Sequence, residues 1–489
     1  MQSQIRRVGL ALMVLFLGLF AMLNWVQIFD AESIASNPAN SRALLAQYSI
    51  KRGDILTVDF EPIAVSKATD DKLKYLRTYP GGELYGHITG YYSLVSGTRG
   101  IEAAYNDQLL GESGVISMQD IEDTFLGEGE RGDDVRLTID SRLQETARDA
   151  LGGQDGSVVA LDPSTGDIRA MYSNPSYDPG PLASHQPDEI RRYYRTLNPS
   201  SPTSPLLNKA TRTNFPPGST FKAVTTAAAL ESGRYEPDST FPDPDSIGLP
   251  QTDNRLTNFT NTSCTGTGSI DLFTALEISC DTTFATIGLE IPDELHAQAE
   301  AFGWNSPIPF DLTTEASRFP EIPDDSKPFR AFAGIGQGDV SATTLQMALV
   351  AAGVANDGQV PRPRLVREVI DASGDVVERF SPETLGQALS PESAREVARM
   401  MTAVVESGTG TAAQIAGLEV AGKTGTAQTV EGAAPHAWFI AFAPVQDPRL
   451  AVAVIVENGG QLGSEATGGQ VAAPIARILI ERDREIRGW

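Results

Sequence analysis

Between Val8 and Phe29 the chain carries no charged side chain; Arg6-Arg7 precede this run and Asp30 ends it. About 20 consecutive apolar residues are enough to cross a hydrocarbon core as a helix. No polar face at helical spacing marks the run as one side of a soluble helix. The stretch 8–29 therefore reads as a membrane anchor. A cleaved signal peptide competes with this reading, but the run is long for a signal core and no small-x-small cleavage site follows directly. A buried soluble helix is the third reading. Basic residues stay on the cytoplasmic side. Residues 1–7 are thus expected to form a cytoplasmic tail, too short for an output module, with the chain after residue 30 outside. There the two cysteines, Cys264 and Cys280, meet an oxidising environment. Two half-cystines 16 apart (280 − 264) suit a closed loop and are expected to pair. Two free thiols remain the alternative, because sequence separation does not fix Cα distance.

The rest of the composition permits large cores. The 489 residues are 41% apolar and 21% charged, close to ordinary globular usage, and the length allows about three units. The net charge is −25 (38 − 63, His neutral). A chain that acidic repels phosphate backbones, which argues against nucleic-acid binding. Only eight basic residues are Lys, so a lysine placed for chemistry stands out.

After the anchor, residues 31–55 are polar with alternating aliphatics. Turn signals then recur at Pro80-Gly81-Gly82, Gly97-Thr98-Arg99-Gly100 and Gly127-Glu128-Gly129. The stretch 30–140 reads as an extended, mixed α/β, membrane-proximal pedestal without chemistry of its own. Asp140 or Ser141 can cap a helix through Leu151, with Gly152-Gly153 as its stop. The segments 156–162 and 167–173 read as a hairpin about the turn Pro163-Ser164-Thr165-Gly166. A loop-rich stretch follows over 174–217, with a helix near Glu189–Leu197. Three strand-like runs lie at 418–428, 436–445 and 450–458, then a helix from Gln470 to Arg482. The expectation is one sheet built from these strands, with helices from 219–410 covering its faces.

Three short patterns carry chemistry. The first is Pro216-Pro217-Gly218-Ser219-Thr220-Phe221-Lys222, followed by an Ala-rich helix to Ser232 that stops at Gly233. Ser219 and Lys222, three apart, share a helix face. A desolvated amine can lose its proton and activate a hydroxyl, and a helix start offers N–H groups to an oxyanion. Read alone, the pair is equally an N-capping serine and a surface lysine. The second is Val420-Ala421-Gly422-Lys423-Thr424-Gly425-Thr426. It suits an edge strand that binds a carboxylate and lends the Thr426 N–H to an oxyanion hole; the plain alternative is a glycine-weakened edge strand with a gatekeeping lysine. The third is Ser279-Cys280-Asp281 between two apolar helical stretches, a turn with its hydroxyl inward or an ordinary inter-helix turn. No Cys/His cluster has metal spacing, and His436 reads as a strand or rim residue rather than a base.

Together and in this order, Ser-x-x-Lys, Ser-x-Asp and Lys-Thr-Gly resemble the motif set of penicillin-recognising serine acyltransferases. The resemblance extends to Leu161-Asp162-Pro163-Ser164-Thr165-Gly166, Asn174-Pro175-Ser176-Tyr177-Asp178-Pro179, Gly334-Ile335-Gly336-Gln337-Gly338 and His436-Ala437-Trp438-Phe439. Arg52-Gly53-Asp54-Ile55 and Gly100-Ile101-Glu102-Ala103-Ala104-Tyr105-Asn106 resemble the N-terminal region of class B penicillin-binding proteins, nearest the actinobacterial penicillin-binding protein A type. The stretch 30–140 is too short for the glycosyltransferase domain of class A members.

The resemblance implies a mixed α+β fold over 141–489: an antiparallel sheet of about five strands with helices on both faces, and an all-helical lobe. It implies a peptidoglycan D,D-transpeptidase that is acylated by β-lactams and needs no cofactor or metal. Ser219 is then the nucleophile, Lys222 its base, and Ser279 with Lys423 the proton relay. The Ser219 and Thr426 N–H groups form the oxyanion hole. Asp281, Thr424, Gly425 and Thr426 bind substrate. It further implies a glycan polymerase of the shape, elongation, division and sporulation (SEDS) family and cell-wall or divisome proteins as partners. One departure stands out, because the family's second motif usually ends in Asn where this chain has Asp281. Asn donates an amide hydrogen, whereas an ionised Asp only accepts, and a pairing with Lys222 is the alternative role open to Asp281. Two other readings remain: a D,D-carboxypeptidase or β-lactamase on the same scaffold, and a non-catalytic β-lactam-binding scaffold.

Overall fold

The computed structural model describes residues 2–28, 47–111, 131–428 and 432–489. Residues 31–46 of the polar stretch and the Gly127-Glu128-Gly129 turn lie outside them. The apolar run forms a helix over Gln2–Ile28. Its segment Arg6–Val26 has a mean hydropathy of 2.2 and is not buried against the rest of the protein. This is the length and exposure of a membrane-crossing helix.

The chain's main sheet has five strands, in the order Ala421–Ala427, His436–Ala443, Leu450–Val456, Gly156–Leu161, Ile168–Asn174, every neighbouring pair antiparallel. The hairpin and the three late strands expected from the sequence thus join through Leu450–Val456 and Gly156–Leu161. The central strands His436–Ala443 and Leu450–Val456 read as nearly continuous apolar runs because helices cover both faces, so neither alternate set meets water. Every residue of His436–Ala443 and Leu450–Val456 is buried. Helix Thr344–Ala355, buried almost all round, packs on the sheet. Its first residue is tied to the strand by a Ser157–Thr344 hydroxyl pair at 2.6 Å. Helices Ser141–Leu151 and Gly468–Arg487 pack on each other and on the sheet. The first is capped as expected: the Asp140 carboxylate accepts from the Arg142 N–H, and Gly152 ends the helix at φ +63°. The last helix runs longer than its apolar pattern indicated.

Beside the sheet lies the helical lobe, including Lys222–Glu231, Leu272–Glu277, Asp281–Glu290, Lys327–Gly334 and Pro391–Glu406. Asp281–Glu290 and Lys327–Gly334 cross at Gly288 and Gly334. A Cβ on Gly288 would stand 2.4 Å from the Arg330 carbonyl oxygen, and one on Gly334 2.3 Å from that of Phe284. The helix that begins at Asp281 is thereby held against its neighbour.

The pedestal has its own sheet, in the order Val376–Arg379, Val366–Ile370, Asp134–Leu137, Ile55–Leu56, Pro62–Ala68, Tyr75–Thr78. Its first two strands come from far along the chain, so the pedestal is not confined to residues before 140. The 366–379 hairpin stitches it to the catalytic region. Val376–Arg379, largely exposed, carries no local pattern that indicates the sheet it joins. Under this sheet Glu102, fully buried, meets Arg52 at 2.5 Å and Arg77 at 2.6 Å.

Candidate active site

The approach to Ser219 is set by three residues that cannot behave as an ordinary helix start. Pro216 and Pro217 have no N–H to donate. Gly218 sits at φ +53°, a conformation that favours glycine. Its N–H donates to the Gly336 carbonyl at 2.9 Å. A Cβ on Gly336 would fall 2.3 Å from the Gly218 carbonyl oxygen, so the Gly334–Gly338 segment acts as a backbone clamp. The predicted helix from Ser219 accordingly divides. Gly218–Phe221 is a 3₁₀ turn, and the α-helix starts at Lys222. In a 3₁₀ turn positions three apart eclipse, which keeps Ser219 and Lys222 on one side. Thr220 locks the turn through its hydroxyl, which donates to the Pro217 carbonyl at 2.7 Å. Trp438 holds the approach by donating its indole N–H to the Pro216 carbonyl at 3.0 Å.

Lys222 is fully buried and reaches the turn between helices Leu272–Glu277 and Asp281–Glu290. Its ammonium donates to the Asp281 carboxylate at 2.6 Å, to the Ser279 carbonyl at 2.8 Å and to the Ser279 hydroxyl at 3.2 Å. Lys423, also fully buried, donates to the same hydroxyl at 2.9 Å and to the Thr424 carbonyl at 3.2 Å. Ser279 therefore bridges two lysines. Its backbone is left-handed, at φ +64°, which is costly for a residue with a side chain and turns the hydroxyl between the two amines. The disulfide Cys264–Cys280 fastens the turn to the 258–268 loop. From that loop the Asn258 side-chain carbonyl accepts the Thr282 N–H at 2.9 Å.

Two lysines against one carboxylate leave a net positive charge out of water. Burial pushes the Lys222 amine down from its ordinary value, while Asp281 pulls it up. Lys423 is pushed well down, by burial and then by the Lys222 charge, with Asp281 opposing. A neutral amine becomes accessible at lower pH than for a solvated lysine. Among the described residues nothing hydrogen-bonds the half-buried Ser219 hydroxyl.

The Lys423-Thr424-Gly425 motif lies on the free edge of the sheet. Among the described residues Ala421–Ala427 pairs only with His436–Ala443, so its outer backbone groups face the turn. A Cβ on Gly425 would lie 2.9 Å from the Pro217 carbonyl oxygen and 3.1 Å from the Thr220 nitrogen. The edge and the Ser219 turn are thus in contact, which brings the N–H groups of Ser219 and Thr426 to neighbouring segments. Alternation along the strand sends Lys423 and Gly425 to one face and Thr424 and Thr426 to the other. The Thr424 hydroxyl, buried, pairs with that of Thr409 at 2.6 Å. The half-buried Thr426 hydroxyl accepts the Gly468 N–H at 3.4 Å. Lys222, Ser279, Asp281 and Lys423 thus form one hydrogen-bonded group with the Ser219 turn and the edge strand beside it, and Thr424 stands apart, turned toward Thr409.

Asn258, Thr409 and Gly336 were not singled out from the sequence as site supports. Nothing local marks Asn258 or Thr409, because their partners lie far along the chain; only the Gly-x-Gly-x-Gly spacing around Gly336 carried a signal. His436 lies at the strand start, buried, with its ring against Phe215. Its Nδ1 accepts the Asn458 N–H at 3.1 Å. The group Asp243, Cys264 and Cys280 offers no metal site, because both sulfurs are consumed in the disulfide.

The sequence matches the penicillin binding protein transpeptidase domain over residues 156–481 and the penicillin binding protein A dimerisation domain over 52–135. It is 41% identical over 490 residues to the peptidoglycan D,D-transpeptidase PbpA of Mycolicibacterium smegmatis, covering 98% of each chain. It is 39% identical over 495 residues to the corresponding protein of Mycobacterium tuberculosis, covering 98% of this chain and 99% of that one. The fold superposes with a TM-score of 0.85, at 38% identity, on penicillin-binding protein A from M. tuberculosis solved as its ceftriaxone acyl-enzyme. That match covers 90% of this chain and 99% of the other.

Proposed function

The chain belongs to the penicillin-binding protein transpeptidase family, and from that premise we infer that it is a peptidoglycan D,D-transpeptidase acting through Ser219. The observation that carries the reading is the Ser279 hydroxyl held between two fully buried lysines, beside a turn whose own serine hydroxyl is left without a partner among the described residues. Ser219 Oγ attacks the carbonyl carbon between the two terminal D-alanines of a stem peptide, and its proton passes to the neutral Lys222 amine. The Ser219 and Thr426 N–H groups stabilise the oxyanion, a role typically worth about 2.7–4 kcal/mol per donor. Ser279 gives its proton to the departing D-alanine nitrogen and is resupplied from Lys222, with Lys423 holding the hydroxyl. An amine of a second stem peptide then attacks the ester, forms the cross-link and releases Ser219. The free edge of Ala421–Ala427 would pair with the extended donor peptide, as exposed strand edges do. Lys423 and the Gly425–Thr426 backbone flank the place of its terminal carboxylate. β-Lactams would acylate the same hydroxyl.

The exposed N-terminal helix would hold the protein as a single-pass membrane protein with its catalytic region outside the cell membrane, as Arg6 and Arg7 favour. A SEDS-family glycan polymerase and the cell-wall or divisome assembly would meet the anchor and the pedestal.

The reading is tested by supplying the purified protein with a donor peptide ending in D-Ala-D-Ala and an amine-bearing acceptor peptide. The expected products are free D-alanine and the cross-linked dimer, both absent with Ser219→Ala. D-Alanine release with only the trimmed donor would make the enzyme a carboxypeptidase. No release from folded protein would overturn the catalytic reading.

A further inference from the structure

A cleft remains that the transpeptidase chemistry does not use. It is a cavity of about 490 Å³ between the pedestal and the catalytic region, the kind of junction where ligand sites concentrate. His87, Tyr91 and Arg99 come from the pedestal side; Tyr194, Thr211 and Arg212 come from the catalytic side. The two walls are bonded to each other. The Tyr105 hydroxyl donates to Asp311 at 2.6 Å, the Tyr177 hydroxyl to the Gly86 carbonyl at 2.8 Å, and His87 Nε2 meets the Pro205 carbonyl at 2.8 Å.

The cleft's polar groups are mismatched in one direction. Arg99, beside the Tyr91 hydroxyl, and Arg212 have no ion pair among the described residues. The Thr211 hydroxyl, 1% exposed, has no hydrogen-bond partner among the described residues, a state that costs free energy unless something fills it. Asp311, the acid in the wall, is already committed, accepting from the Tyr105 hydroxyl and from the Leu365 N–H at 2.5 Å. His87, pushed down to about 4 by burial, adds no charge at neutral pH. In a chain of net charge −25, two exposed arginines and a spare hydroxyl thus line one cavity. Planar guanidinium groups match carboxylates bidentately. Thr211 and Arg212 end the short helix Lys209–Arg212, which leads through Phe215 into the Ser219 turn.

We propose that this cleft is a second ligand site, which binds a free carboxylate of a peptidoglycan glycopeptide while Ser219 is occupied. The proposal rests on the transpeptidase reading for the identity of the ligand. Stem peptides carry carboxylates that cross-linking does not consume, and a strand held at both places would be presented to the nucleophile at high effective concentration.

The test uses the full-length protein in detergent with Ser219 first acylated to completion by penicillin, so that the catalytic cleft is closed. The probe is a soluble, uncross-linked disaccharide-peptide with free carboxylates, titrated by calorimetry beside its fully amidated form. The expected result is binding by the acylated protein that amidation weakens by about tenfold or more. An Arg99→Gln/Arg212→Gln double variant should lose the same factor while its penicillin acylation rate stays unchanged, which also shows that it is folded. No binding to the acylated protein, binding equal in the double variant, or displacement by inorganic phosphate as strong as by the glycopeptide would each overturn the proposal. Failure of penicillin to acylate the protein would sink the transpeptidase reading instead, so the two failures are distinguishable.

Discussion

In the pedestal, Glu102 lies between Arg52 at 2.5 Å and Arg77 at 2.6 Å. In the catalytic region, Asp281 meets Lys222 at 2.6 Å, and Lys423 stands across the Ser279 hydroxyl. Each is two cations and one carboxylate removed from water, yet the cation type separates them. Arginine keeps its proton and spreads donors in a fixed fork. Arg52 and Arg77 accordingly also bind backbone carbonyls of Glu102 and Gly53, at 2.6 and 2.7 Å, and the surplus charge is absorbed by hydrogen bonds. Lysine presents a point charge that burial can remove. Both lysines are shifted down, so the surplus makes a proton easier to give up. One arrangement is a lock and the other a proton store, built from the same charge count.

Substituting the cation type should break that contrast most sharply. Lys222→Arg keeps the charge and loses the proton-accepting amine. The second-order rate of penicillin acylation should fall by roughly 10²–10⁴-fold, the span of general-base contributions, when followed by stopped-flow labelling. Breaking the lock shows up as stability instead. Glu102→Gln leaves two buried guanidinium groups without their carboxylate and should cost about 3–5 kcal/mol in urea denaturation. The acylation rate of the surviving folded fraction should stay near wild type. A collapse of acylation without loss of stability would erase the distinction between the two clusters.

Smaller effects fall on the supports of the turn. Cys264→Ser/Cys280→Ser opens a loop 16 residues long in sequence separation, a closure worth about 3 kcal/mol on loop-entropy grounds, read as a lowered Tm. Trp438→Phe removes the bond to the Pro216 carbonyl and should cost about 1 kcal/mol, with a modest rise in KM for donor peptide.

The last change is a displacement rather than a loss. Asp281 raises the Lys222 amine against the larger downward effect of burial. Acylation needs the neutral amine, so its rate should climb with pH along a limb lying below 10.5, the ordinary lysine value. Asp281→Asn removes the upward influence and should move that limb to lower pH. The sign for stability agrees. Between the folded and unfolded values the unfolded chain binds more protons, so this contribution to stability rises with pH across that window. A limb that moves up in Asp281→Asn would contradict the electrostatic account.

How much of this was legible in sequence follows the range of the interactions. The capped helix from Ser141 and the strand runs at 156–173 and 418–458 rest on local pattern and turn residues, and the fold contains them. The motif order placed Ser219, Lys222, Ser279 and Lys423 in one site, and charge offered the Lys222–Asp281 pairing as one alternative, which the structure contains. What could not be read was set by distant partners. The hairpin 366–379 completes the pedestal sheet, which no local pattern indicates. Thr424 turns to Thr409 because strand alternation, not motif membership, fixes its face. The helix at Ser219 starts as a 3₁₀ turn because Gly218 answers to Gly336, 118 residues on (336 − 218).

The most direct measurement is intact mass and peptide mapping of the full-length protein after exposure to penicillin G, beside Ser219→Ala. The account predicts one stoichiometric, slowly lost adduct on the peptide containing Ser219, and none in the variant. An adduct on another serine, or folded protein that is never acylated, would contradict it.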